Sequence, residues 1–266
     1  MYEKKISQRA PGWIGLILDE SLSMSDNLPG TSDPKFMWVE RYFGNILHEL
    51  LARSTETSGP DAIIKPRYYL TVIRYGSHPE LWGSPEMDIE TAVRRFADGG
   101  NSLGLGGRMS GTDTEAAFAE MLDHLKNSLA GERFKDSFPP MLFHLSDGES
   151  ATNATALAQK AMGQSTADGH TLVVNAYIGA QTSLAYSGPE DFPGYLDVSE
   201  VGSKRDNVRL FHMSSEIPPS IEANLKDDGI FPELRSGSRA FFDVRTKDML
   251  KHVIQVIGSL GSRMKR

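Results

Sequence analysis

The chain of 266 residues contains no cysteine, which removes disulfides and thiolate metal sites from consideration. Long apolar runs are missing as well. The first such run, Trp13 to Leu18, is too short for a membrane span or for the core of a signal peptide. The expectation is a cytoplasmic protein with no membrane association. There is also no basic stripe. The formal net charge is −7, and only Ser262-Arg263-Met264-Lys265-Arg266 is locally basic, as a frayed helix end can be. A surface that tracks phosphates by releasing counterions needs such a stripe, so no nucleic-acid partner is expected. An apolar fraction of 39% with 24% charged residues is that of an ordinary globular chain. Its length suits one domain spanning 1–266, with an irregular insertion at about 179–237.

What is present is Leu16-Ile17-Leu18-Asp19-Glu20-Ser21-Leu22-Ser23-Met24-Ser25, an apolar strand running into an Asp-x-Ser-x-Ser turn. The spacing of two lets Asp19, Ser21 and Ser23 face one point past the strand end. Carboxylate and hydroxyl oxygens are hard donors of the kind Mg2+ prefers. Asp and Ser are also common in turns and helix caps, so the motif needs company. It has Thr112, in Ser110-Gly111-Thr112-Asp113-Thr114, and Asp147, in Leu145-Ser146-Asp147-Gly148-Glu149 after a second apolar strand.

In this order the five residues resemble the von Willebrand factor A (vWA) family with its metal-ion-dependent adhesion site (MIDAS). The family pattern is Asp-x-Ser-x-Ser after the first strand, a Thr in a loop opening a later helix, and an Asp after the fourth strand. Glu20 and Leu22 depart from the small residues frequent at the two variable positions. The resemblance implies a Rossmann-like, doubly wound α/β fold. It further implies one cation bound by Ser21, Ser23 and Thr112, with Asp19 and Asp147 accepting hydrogen bonds from its waters. Mg2+ is the expected ion, and Mn2+ or Ca2+ suits the same donors. A partner protein's Asp or Glu would complete the shell. Size and the lack of a signal resemble the bacterial intracellular, tellurite-resistance-associated TerY group of vWA proteins. That implies an adaptor or regulator in stress response or defence, working with AAA+ ATPases or kinase and phosphatase modules.

The alternative function is a Mg2+-dependent hydrolase or phosphoryl-transfer enzyme at the same site. Against it, a phosphotransferase of the haloacid dehalogenase type wants a second Asp where Ser21 stands, and no histidine is placed as a base. His144 lies inside a strand and reads as a core residue, leaving Glu149 as the acid to test. Gly100-Asn101-Ser102-Leu103-Gly104 follows no strand, so it makes no nucleophile elbow. Gly106 to Thr112 lacks the lysine of a phosphate loop.

Along the chain, helical spacing of apolar residues covers Lys35 to Leu51, ended by Thr55 to Pro60, and recurs at Ile89–Ala97, Asp113–Leu129 and Met249–Leu260. Thr112 or Asp113 suits the cap of the third of these. Ala151 to Asp168 reads as an Ala-rich helix closed by Gly169. Strands are expected at Tyr68–Tyr75, Met141–Leu145, Thr171–Ile178, Val208–Met213 and Ala240–Val244, with a short helix at Ser220–Leu225. Gly76 to Asp88 reads as an irregular edge or hairpin. Six glycines between residues 99 and 111 leave the loop that delivers Thr112 free to move. Alternating strands and helices imply a mostly parallel sheet covered on both faces.

Overall fold

Gly12–Asp19 forms strand β1, and all eight of its residues are buried, as a run without polar alternation requires of a strand covered on both faces. The structure is a computed structural model that describes residues 2–58, 61–148, 150–179 and 182–259. The basic tail at 262–266, Leu260 and Glu149 lie outside the described residues.

The other strands are β2 (Thr55–Ser58), β3 (Asp61–Ile64), β4 (Tyr68–Tyr75), β5 (Pro79–Leu81), β6 (Met87–Asp88), β7 (Met141–Ser146), β8 (Ser165–Thr166), β9 (Gly169–His170), β10 (Leu172–Ile178) and β11 (Phe241–Val244). The main sheet runs β11-β10-β7-β1-β4-β5, with β6 also on β4. Its five long members are parallel, and β5 and β6 close the β4 edge in antiparallel sense. The chain leaves β1 for β4 on one side and later returns to β7 on the other. Loops after β1 and β7 therefore diverge at their carboxyl ends, the place where open α/β sheets form ligand crevices. Asp19 ends β1, and Asp147 directly follows β7.

The helices are α1 (Lys35–Ser54), α2 (Ile89–Asp98), α3 (Thr114–Ala130), α4 (Glu132–Lys135), α5 (Thr155–Met162), α6 (Arg205–His212), α7 (Pro219–Asp227) and α8 (Lys247–Ser259). α1 buries Val39, Phe43, Ile46, Leu47 and Leu50, the stripe its periodicity predicts. α1 packs with α2 and α8, and α3 with α5, giving the sheet its helical layers. Gly15 sits under α3. A Cβ there would lie 2.9 Å from the Met121 sulfur and 2.8 Å from the Trp13 ring, so only hydrogen lets that helix approach β1.

Three segments differ from expectation. Val208 to Met213 falls in helix α6 with its cap, not in a strand: Asn207, Leu210 and Phe211 face inward at helical spacing, and Arg205 and His212 are exposed. Ala151 to Asp168 is helical only over α5. Gly163 ends that helix, and β8 and β9 then form a small hairpin with Gly169 at φ +152. Thr55 onward does more than end α1, because β2 and β3 pair as a second hairpin.

The segment after β10 is tied to the edge strand through Asp243 of β11, which is fully buried. Its carboxylate accepts hydrogen bonds from Tyr195 Oη at 2.6 Å, Thr182 Oγ1 at 2.9 Å and Arg245 Nε at 2.9 Å, and from Tyr186. A buried charge persists only when compensated in this way. Among the described residues no helix is long and apolar enough to cross a membrane.

Candidate metal centre

Asp19 leaves β1 buried, at 1% exposure. Its Oδ1 accepts a hydrogen bond from the Ser21 backbone N–H at 2.8 Å, the tight turn that an Asp favours two residues before the donor. Its Oδ2 accepts from Ser146 Oγ at 2.6 Å, the hydroxyl at the end of β7. Burial is the largest cause raising the Asp19 carboxyl from 3.8 to about 6, opposed by the Ser146 and Ser21 hydrogen bonds and helped by the charge of Asp147.

The turn continues as a 3-10 helix over Leu22–Ser25. That curl brings Ser23 Oγ to 3.1 Å from Ser21 Oγ. Ser23 Oγ also donates to Asp147 Oδ1 at 2.9 Å, across a sequence separation of 124. The other Asp147 oxygen, Oδ2, accepts from Lys35 Nζ at 2.9 Å. The same ammonium reaches the Ser23 carbonyl at 3.1 Å. Gly148 makes this turn possible. Its φ is +95, and a Cβ would stand 2.1 Å from the Tyr177 ring, so a side chain there meets both strain and collision.

Thr112 arrives on the glycine-rich loop, which is sewn to the motif: Leu22 N–H donates to the Met109 carbonyl at 3.0 Å and Met109 N–H to the Glu20 carbonyl at 3.1 Å. Asp113 caps α3 by accepting from the Ala116 N–H at 3.0 Å, which leaves Thr112 outside the helix. Its carbonyl accepts from Ser150 Oγ at 3.1 Å. Thr112, Ser21 and Ser23 line one cleft of about 550 Å³ together with Leu22, Arg205 and Asp206. Of the five residues named from the sequence, Ser21, Ser23 and Asp147 thus form a continuous hydrogen-bonded group, Asp19 joins it through the Ser21 amide and Ser146, and Thr112 shares its cleft.

The donor set is three hydroxyls and two carboxylates, hard oxygens that fit a divalent cation of the Mg2+ class. Among the described residues no cluster of three or more His, Cys, Asp or Glu side chains is placed to hold a metal, so soft or nitrogen-rich coordination has no counterpart.

Glu20 is buried and turns away toward Arg74, whose Nη1 is 3.9 Å distant. His144 is buried in the sheet. Its Nε2 bonds the Tyr75 hydroxyl at 2.7 Å and its Nδ1 the Asn175 Oδ1 at 2.8 Å. Burial lowers it to about 4, so it stays neutral at pH 7. Lys35, Ser146 and Arg205 were not legible as site residues. Only Lys35 left a trace: a cation opening a long helix works against the helix dipole and wants an anion nearby.

No family model and no curated protein sequence matches the chain. Solved structures do. Proximal thread matrix protein 1 from the mussel byssus superposes over 97% of this chain and 47% of its own length, with 10% identity and a TM-score of 0.50. A second structure of that mussel protein, described as having a zinc-occupied MIDAS motif, matches at 9% identity over the same shares, again at 0.50. The fold is that of a vWA domain. The chain spans about half the length of the mussel protein. An aerotolerance-related membrane protein from Bacteroides fragilis aligns over 92% of this chain and 98% of its own, with 12% identity and a TM-score of 0.48.

Proposed function

We propose that Asp19, Ser21, Ser23, Thr112 and Asp147 form a MIDAS that holds Mg2+, and that the chain is a module binding a partner protein through a carboxylate on that ion. The observation that carries this reading is the meeting of the Ser21 and Ser23 hydroxyls with the Asp147 carboxylate. Neighbouring ligands about 2.1 Å from an octahedral Mg2+ stand about 3.0 Å apart, and the two serine oxygens are separated by 3.1 Å. Neutral hydroxyls nearest the ion leave most of its charge uncompensated, so an Asp or Glu from outside is drawn to it. The zinc-occupied MIDAS of the mussel protein gives a divalent ion in this fold a precedent.

We extend the reading to an adaptor or regulator in the bacterial cytoplasm, in a stress or defence setting, with AAA+ ATPase or kinase and phosphatase modules as the partner class. Hydrolysis or phosphoryl transfer at the same ion has less support, since both His144 nitrogens are engaged within the sheet. The test is retention of a partner by the immobilised protein in Mg2+, in EDTA, and by Asp19→Ala in Mg2+. Retention in the first condition alone is expected. Equal retention in all three contradicts a metal bridge.

A further inference from the structure

The cleft over the site is larger than one carboxylate needs, and its far wall comes from the segment after β10. Arg205 opens α6 on that wall. Its side chain is 65% exposed, and its Nε pairs with Asp206 Oδ1 at 3.3 Å. Its further contact is a long hydrogen bond to the Ser150 carbonyl, at 3.4 Å. Asp206 is shared, because Arg209 Nη1 stands 3.6 Å from the same oxygen. Two guanidiniums against one carboxylate leave this wall with a positive charge in a chain whose formal net charge is −7. On the near side Leu22 lies between Ser21 and Ser23 with 59% of its surface exposed. Covering that side chain with another apolar group removes its exposed area from water, a favourable change.

We propose that this cleft accepts an acidic segment of a partner protein carrying two carboxylates and one apolar side chain. One carboxylate goes to the cation, the second to Arg205, and the apolar group to Leu22. This rests on the MIDAS reading and adds to it a specificity-determining residue, Arg205, supplied by the insertion. The cleft is open to solvent, and its volume of about 550 Å³ leaves room for more than one acid on one ion. The charge of the wall selects an acid over a base, as paired interface charges do. The exposed Leu22 favours a peptide over a free dicarboxylate, which has nothing to lay on it.

The experiment uses the full chain and a library of short synthetic peptides with one fixed Asp and randomised flanks, selected in Mg2+. Wild type is expected to enrich a second Asp or Glu and an apolar residue. Arg205→Glu is expected to replace that second acid by Lys or Arg, with Mg2+ binding retained or strengthened by the added negative charge and the chain still folded. Glu suits the first turn of a helix, so this variant folds. Arg205→Ala is expected to weaken an enriched two-acid peptide by about threefold to fivefold without the reversal, and Leu22→Ser to weaken it several-fold. Identical Mg2+-dependent selection by wild type and Arg205→Glu overturns the proposal and leaves the MIDAS reading standing. Free succinate competing as well as the enriched peptides overturns the choice of a protein segment. Loss of both Mg2+ binding and Mg2+-dependent selection in wild type is the different failure, that of the MIDAS reading itself, and removes the proposal with it.

Discussion

Replacing Asp19 by Asn is expected to stabilise the cation-free protein at neutral pH while abolishing its response to Mg2+. The Asp19 carboxyl titrates at about 6 in the fold against an ordinary value of 3.8. A raised carboxyl favours folding while protonated, so its contribution is fully present below pH 3.8 and is lost as pH rises through 6. At about 1.4 kcal/mol per pH unit the loss is about 3 kcal/mol. Asn resembles the protonated acid in shape and neutrality. The stability difference between variant and wild type therefore grows by about 2.5 kcal/mol from pH 4 to pH 7, and carboxylates other than Asp147, whose charge acts on Asp19, cancel from it. An Asn amide nitrogen facing Ser146 exchanges an acceptor for a donor, which offsets about 1 kcal/mol at every pH. Urea unfolding of both proteins in EDTA, repeated across that pH range, reads the difference directly. Adding Mg2+ at neutral pH restores wild-type stability by mass action and leaves the variant unmoved. A stability difference that stays flat with pH, or an Asn variant stabilised by Mg2+ as much as wild type, refutes this reasoning.

Other substitutions test neighbouring contacts. Lys35→Met leaves the buried Asp147 Oδ2 without its ammonium; cation-free stability is expected to fall by about 2 kcal/mol, and Mg2+ affinity by calorimetry to rise on the order of tenfold as a nearby positive charge is removed. Gly148→Ala forces a Cβ against Tyr177 at φ +95, and thermal melting is expected to show a loss of at least about 2 kcal/mol. Arg245→Met uncovers one side of the buried Asp243 carboxylate, with a loss of about 3 kcal/mol by urea unfolding; no measurable change would deny that this cluster holds the segment after β10.

How far the residues reveal the fold depends on how locally each element is determined. Tyr68–Tyr75 matches β4 residue for residue, because a β-branched and aromatic run buried in the sheet carries its own signal. The α6 segment misled because Val208, Leu210 and Phe211 suggest a strand, while the helical evidence lies in the polar residues between them. Gly163 shortened α5 against an Ala-rich background that otherwise favours helix. At the candidate site, Asp19, Ser21, Ser23, Thr112 and Asp147 stand out because the proposed cation would constrain residue type. Lys35, Ser146 and Arg205 are not, since a lysine, a serine and an arginine acquire meaning only when folding sets them beside a particular oxygen.

Diffraction from crystals grown with Mn2+, collected at the manganese absorption edge, addresses the cation most directly. A single anomalous peak bounded by the Ser21, Ser23 and Thr112 hydroxyls, with Asp19 and Asp147 one water beyond, is the expected result. Manganese absent from that point while the protein is saturated with the ion, or bound elsewhere on the surface, contradicts it.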